Sequence, residues 1–163
     1  LEWVNSQHLS NLSINEFKEH LKPFLSKIDI DIENHSNVNL LINAMRSSEN
    51  TLKGIAKSLI PYYKDELVYD TKAISKFLSE NTTILDDIKD LLINLDNWTE
   101  DDLDNALKSY QNEKNLPVPK VNQPIRIALT GSTKSPSLGL TLSIFGKELS
   151  IKRIDDLITH LNL

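Results

Sequence analysis

Apolar residues recur at steps of three and four along almost the whole chain, while alternating apolar and polar runs are nearly absent, which admits helices and little else. The cap signals agree with that periodicity. Ser13-Ile14-Asn15-Glu16 has capping-box spacing, and Phe17, Leu21, Phe24 and Leu25 follow on one face, with Pro23 expected to kink or end the helix. Ser36 can open a helix carrying Leu40, Leu41 and Ala44. Asn50-Thr51 can open another carrying Leu52, Ile55, Leu59 and Ile60 ahead of Pro61. Asp70 or Thr71 precedes Ile74, Phe77 and Leu78, and Thr82 or Thr83 precedes Ile84, Leu85, Ile88, Leu91, Leu92 and Leu95. Thr99 heads Leu103, Ala106, Leu107 and Tyr110, with acids in the first turn, where the helix dipole favours them.

Lys114 to Pro119 reads as a short connection, and three compact helices are expected beyond it. Asn122 can cap the first, with Pro124 in its first turn, Ile125, Ala128 and Leu129 facing inward, Arg126 on the opposite face and Gly131 as a left-handed stop. Ser135 can cap the second, with Pro136 at its first position and Gly146 at its end. Ile154, Leu157, Ile158 and Leu161 form the stripe of the last. The expected fold is therefore all-α, two packed helical subdomains spanning residues 1–70 and 71–163.

Charge is unevenly spread. Between Lys114 and Arg153 lie seven basic residues and one acid, Glu148, a balance of +6 in a chain whose total is −5. An acidic protein with a basic end points to an anionic partner there, nucleic acid being the commonest. No run approaches the roughly 18 apolar residues a membrane span needs, so no membrane partner is expected. The chain lacks cysteine and hence thiolate metal sites, and His8, His20, His35 and His160 lack metal-ligand spacing. Glu100, Asp101, Asp102 and Asp104 read as a solvated helix start rather than an ion site. The chain opens at Leu1 and its single methionine is Met45, as expected of the tail of a longer polypeptide.

Gln123-Pro-Ile-Arg-Ile-Ala-Leu-Thr-Gly131, then Ser135-Pro136-Ser137-Leu138, then Phe145-Gly146-Lys147-Glu148 and Arg153, resemble the C-terminal anticodon-binding region of bacterial-type glutamyl-tRNA synthetase. Leu1-Glu-Trp3-Val-Asn5 is similar to the segment that follows that family's catalytic half. The resemblance covers essentially the whole chain and is most specific in its last forty or so residues. It implies the helical cage of that region, a class I ligase joining glutamate to tRNA with ATP and magnesium, and tRNA(Glu) as partner. The catalytic signatures are absent from this sequence, so it implies no catalytic residue and no cofactor or metal held by the fragment itself, which is expected to be inactive alone and monomeric. The bacterial cytoplasm is the expected location, with an organelle matrix as the alternative.

The resemblance points to Arg126, Ser135, Pro136 and Leu138 as anticodon-reading positions. On the residue chemistry, a guanidinium can reach a base edge or phosphate, a helix start offers N–H groups, and Pro136 and Leu138 offer apolar surface to an unstacked base. One departure stands in the first subdomain. The family often has Arg three residues ahead of a Thr-Leu pair, where it separates glutamate from glutamine tRNAs; here Ser48 precedes Thr51-Leu52, with Arg46 two residues earlier. Ser48 cannot supply a bidentate fork, worth roughly 1–3 kcal/mol of base discrimination. Acceptance of tRNA(Gln) is therefore expected, unless Arg46 swings into the gap. Two other readings fit the residues less fully: a free-standing helical RNA-binding accessory domain, and a helical protein-interaction domain in which the basic segment is incidental.

Overall fold

The computed structural model describes residues 9–162, and every regular element among them is helical. The stretch Leu1 to Asn5, with Trp3, and His8 lie outside the described residues. Two compact units divide between Glu66 and Leu67.

The first unit contains α1 (Ile14–Ser26), a single 3-10 turn (Ile32–Asn34), α2 (Val38–Ser48) and α3 (Leu52–Tyr63). The capping box forms as its spacing predicts: Ser13 Oγ accepts from the Glu16 N–H, and the Glu16 carboxylate accepts from the Ser13 N–H. α1 continues through Pro23, and α3 through Pro61. Pro23 is exposed, so the helix bond it cannot make is lost on a side that water reaches. Phe17, Leu21, Leu25, Leu41, Ile42, Ile55 and Leu59 build the core. The stripe of α2 is Val38, Leu41, Ile42 and Met45; Leu40, expected inside, is 47% exposed. Tyr63 ties the end of α3 to the 3-10 turn, its hydroxyl donating to the Ile32 carbonyl at 2.6 Å.

The second unit contains α4 (Thr71–Leu78), α5 (Thr83–Ile93), α6 (Glu100–Lys114), α7 (Val118–Thr130), α8 (Leu138–Phe145) and α9 (Lys147–Leu161). Asp70 caps α4 through the Lys72 and Ala73 N–H groups, and Thr99 caps α6 through that of Asp102. α7 packs against all five of the others. That position explains why it is buried almost all round, through Val121, Pro124, Ile125, Ile127, Ala128 and Leu129.

Two helix starts of the second unit depart from expectation, as α2 does by one residue in the first, where Asn37 and not Ser36 holds the cap position. α7 begins at Val118, because Asn115 closes α6 in the left-handed conformation (φ 51°), and Pro117, in extended conformation, then starts the next helix with Pro119 in its first turn. Pro124 is thus a buried interior residue. Asn122, expected as the cap, instead accepts from Gln111 Nε2 at 2.8 Å and links α7 to α6. α8 begins at Leu138 with Ser137 in the cap position, which leaves Pro136 outside the helix. Gly146 ends α8 and begins α9 at φ 79° and ψ 165°, a combination open to almost no residue but glycine.

Candidate nucleic-acid interface

With five neighbours around it, α7 is enclosed beyond its exposed first turn except along one side. Asn122, Gln123, Arg126 and Thr130 are its only half-buried residues from Val121 onward, and their spacing aligns them along one side. Arg126 leads from this side into the loop that joins α7 to α8. Its Nε donates to Ser135 Oγ at 3.0 Å, and one Nη lies 3.5 Å from Gln123 Oε1. The Ser135 hydroxyl in turn donates to the Pro136 carbonyl at 2.8 Å. Two residues that the sequence marks for one role therefore meet directly.

The loop is pinned at each end. Gly131, at φ 81°, accepts from the Asp70 N–H at 2.8 Å, and a Cβ there would collide with the Val68 carbonyl oxygen. The Thr130 hydroxyl donates to the Arg126 carbonyl at 2.8 Å, lies 3.1 Å from that of Ser132, and accepts from the Ser132 N–H. At the other end the buried Thr141 hydroxyl lies 3.0 Å from the Ser137 carbonyl and 3.3 Å from that of Pro136. Tethering of this density holds an irregular segment in one shape.

The start of α8 differs from the sequence expectation in two ways. Pro136 and Leu138 are buried, Leu138 at 3% exposure, so neither offers a face to an unstacked base; both pack inward because α8 docks its first turn against α6. Carboxylates of α6 also stand where an anion would be received. Asp104 of α6 accepts from the Gly139 N–H at 3.1 Å, and the Ser137 hydroxyl lies 3.3 Å from Glu100 Oε1. Carboxylates thus occupy the positive end of the helix dipole. Glu100 and Asp104 serve this clamp and Asp102 the cap of α6, and among the described residues no group of three or more His, Asp or Glu side chains could hold a metal. Asp104, Gly139 and Thr141 were not marked by sequence reasoning; the spacing of Asp104 within an acidic helix start gives no sign that it reaches α8.

The basic segment is partly consumed by the fold. Arg153 is buried, donates to the Leu129 carbonyl at 2.6 Å and stacks over Phe145. Lys147 donates to the Leu95 carbonyl, and Lys152 pairs with Asp156. Lys114, Lys120 and Lys134 are exposed. Trp98 packs rather than presents its ring, its Nε1 donating to the Leu142 carbonyl.

In the first unit, Ser48 turns its hydroxyl back to the Ala44 and Met45 carbonyls at 3.4 and 3.3 Å. Arg46 donates to the Leu9 and Leu12 carbonyls at 2.7 and 2.8 Å, with its guanidinium 4.4 Å from the centre of the Phe17 ring. In this conformation Arg46 fastens the approach to α1 and does not extend past Ser48.

Comparison with known proteins gives this geometry a context. A family model described as "Anticodon binding domain" matches residues 16–158. A glutamate–tRNA ligase from Myxococcus xanthus is 34% identical over 98% of this chain, and one from Thermus thermophilus 30% identical over 95%. The chain spans about a third of the length of these relatives, 34% and 33% respectively. Among solved structures, a glutamate tRNA ligase from Elizabethkingia meningosepticum superposes with a TM-score of 0.81 at 23% identity, covering 98% of this chain and 32% of that one. At such identity the likeness establishes the helical fold.

Proposed function

Because the chain belongs to the anticodon-binding domain family and is homologous to part of glutamate–tRNA ligase, we propose that it binds and positions tRNA(Glu) for such a ligase. In that reading the rest of the enzyme activates glutamate with ATP and magnesium, and this portion contributes affinity and anticodon selection without catalysing a step. The observation that carries the reading is the match along nearly the whole chain to ligases of which it spans only a third.

The anticodon-facing surface of the second unit is the side of α7 bearing Gln123 and Arg126, continued by the exposed part of the loop from Ser132 to Ser137. Ser135 acts by fixing the guanidinium of Arg126. Pro136 and Leu138 act from below, setting the loop's height over α6. A planar fork held by a neighbour loses little freedom on meeting a base edge or phosphate, which suits recognition of a single-stranded loop. Lys120 and Lys134 add charge on the same unit. The two units serve as two anticodon-binding subdomains of a monomer.

Ser48 supports relaxed selection. Its short side chain is bonded to its own helix, and Arg46 is committed elsewhere, so neither residue supplies the fork that would reject tRNA(Gln). The test is titration of labelled tRNA(Glu) with the protein at rising salt. Affinity should fall steeply, as expected when several phosphates are contacted; binding that is absent, or indifferent to salt, would return the chain to the class of protein-interaction domains.

A further inference from the structure

Two residues that helical periodicity assigns to core stripes, Phe24 on α1 and Ile60 on α3, are only half-buried, and they stand in the same place. With Ile28 and Ala56 they form the floor of a groove of about 430 Å³ between α1 and α3. Lys27, Lys53 and Lys57 stand at its rim. All three are exposed, and among the described residues none of them is in an ion pair and no acidic side chain lines the groove. Lys27 lies 5.7 Å from the centre of the Phe24 ring.

We propose that this groove is a docking site for an acidic amphipathic helix of a partner protein. The α3 wall, Lys53, Ala56, Lys57 and Ile60, follows the three- and four-residue spacing of one helix face and runs about 10 Å, two helical turns. A partner helix of two or three turns can seat apolar side chains on Phe24, Ile28, Ala56 and Ile60 while Asp or Glu on its flanks meets the three ammonium groups. That is the ordinary form of helix-in-groove recognition. Nucleic acid fits less well, because the floor is predominantly aliphatic and its one aromatic ring already lies beside a lysine.

The probe is a fluorescein-labelled, helix-forming peptide with leucines on one face and glutamates beside them, compared with a scrambled peptide of the same composition and with an anticodon stem-loop RNA of tRNA(Glu). The designed peptide should bind at least tenfold more tightly than the scrambled one and shift the amide resonances of Phe24, Ile28, Ala56 and Ile60. The double substitution K53E/K57E should weaken the peptide at least tenfold and the RNA less than twofold. K27E, on the other wall, provides the same test if the double variant melts early. Equal binding of both peptides, no binding, or tenfold loss of RNA affinity in the variants would overturn the proposal, the last outcome making the groove a nucleic-acid contact.

Discussion

Arg126 and Ser135 are joined by a 3.0 Å hydrogen bond from Nε to Oγ, which links the side of the most enclosed helix in its unit to the loop that follows it. The bond makes the position of the guanidinium and the shape of the loop one property. Removing either partner should therefore disturb both.

Arg126→Ala should lower tRNA(Glu) affinity about tenfold while costing about 1 kcal/mol of stability, the usual net worth of a side-chain hydrogen bond. Ser135→Ala keeps the guanidinium and should still lower affinity severalfold, because the bond that fixes Arg126 to the loop is then lost. Thermal melts and fluorescence anisotropy on both variants check this. A large stability loss for Arg126→Ala, with unchanged binding per folded molecule, would assign it a purely structural role.

Asp104 holds the first turn of α8. Asp104→Ala should cost about 0.5–2 kcal/mol, as loss of a helix cap does, and Asp104→Asn less, since its amide oxygen can still accept from the Gly139 N–H. Gly139→Ala should resemble Asp104→Ala, because a Cβ there would displace the carboxylate. Urea denaturation of the three variants distinguishes these effects. No change in any of them would show that the carboxylate does not cap α8.

Arg46 is predicted to act in folding. Arg46→Ala removes a donor from the Leu9 and Leu12 carbonyls, the first of which keeps the Leu12 N–H at 3.3 Å, and uncovers Phe17, so a loss of about 2 kcal/mol is expected, with little recovery in Arg46→Lys, whose single ammonium cannot reproduce the stacked fork. Chemical denaturation measures it. Unchanged stability combined with a fall in tRNA affinity would instead make Arg46 a reader of RNA.

Stability should decline at both ends of the pH scale. Burial first, then Glu33 and Asp31, push the Tyr63 phenol up to about 12, and burial followed by the bond to Asp87 does the same for Tyr110. A raised phenol favours the protonated fold, so this contribution is complete below about pH 10 and lost as pH climbs towards 12. Tyr63→Phe should flatten part of that slope. Burial lowers the His35 pKa, and its Nδ1 accepts from the Asn37 N–H at 3.0 Å, which requires the neutral ring. That contribution is present above the ordinary value of about 6.5 and lost as pH falls through the lowered one. Thermal melts from pH 5 to 11 should show both limbs, and a flat profile would contradict them.

The helices were legible because periodicity and caps report on local geometry, as at Ser13, Asp70 and Thr99. Contacts between helices were not. Pro119 and Pro124 look alike in sequence, and the left-handed Asn115, followed by the extended Pro117, places the first of them in the opening turn of α7 and the second in its interior. Arg126 and Ser135 were marked by motif, but their mutual bond, and the burial of Pro136 and Leu138, depend on how α8 meets α6. Arg153 and Lys147 counted as surface charge in sequence, yet both donate to carbonyls of neighbouring elements. Phe24 and Ile60 fit their helical stripes by spacing, and fall in the groove because, among the described residues, no element of their own unit covers that face.

The central claim is that this chain recognises an anticodon, and the most direct measurement compares two sets of tRNA(Glu) transcripts, one altered in the anticodon bases and one in the acceptor stem. Anticodon changes should weaken binding about tenfold or more, and acceptor-stem changes should leave it within about twofold, given a cost of roughly 1–3 kcal/mol for a lost base contact. Equal sensitivity to the two sets, or greater sensitivity to the acceptor stem, would contradict the account.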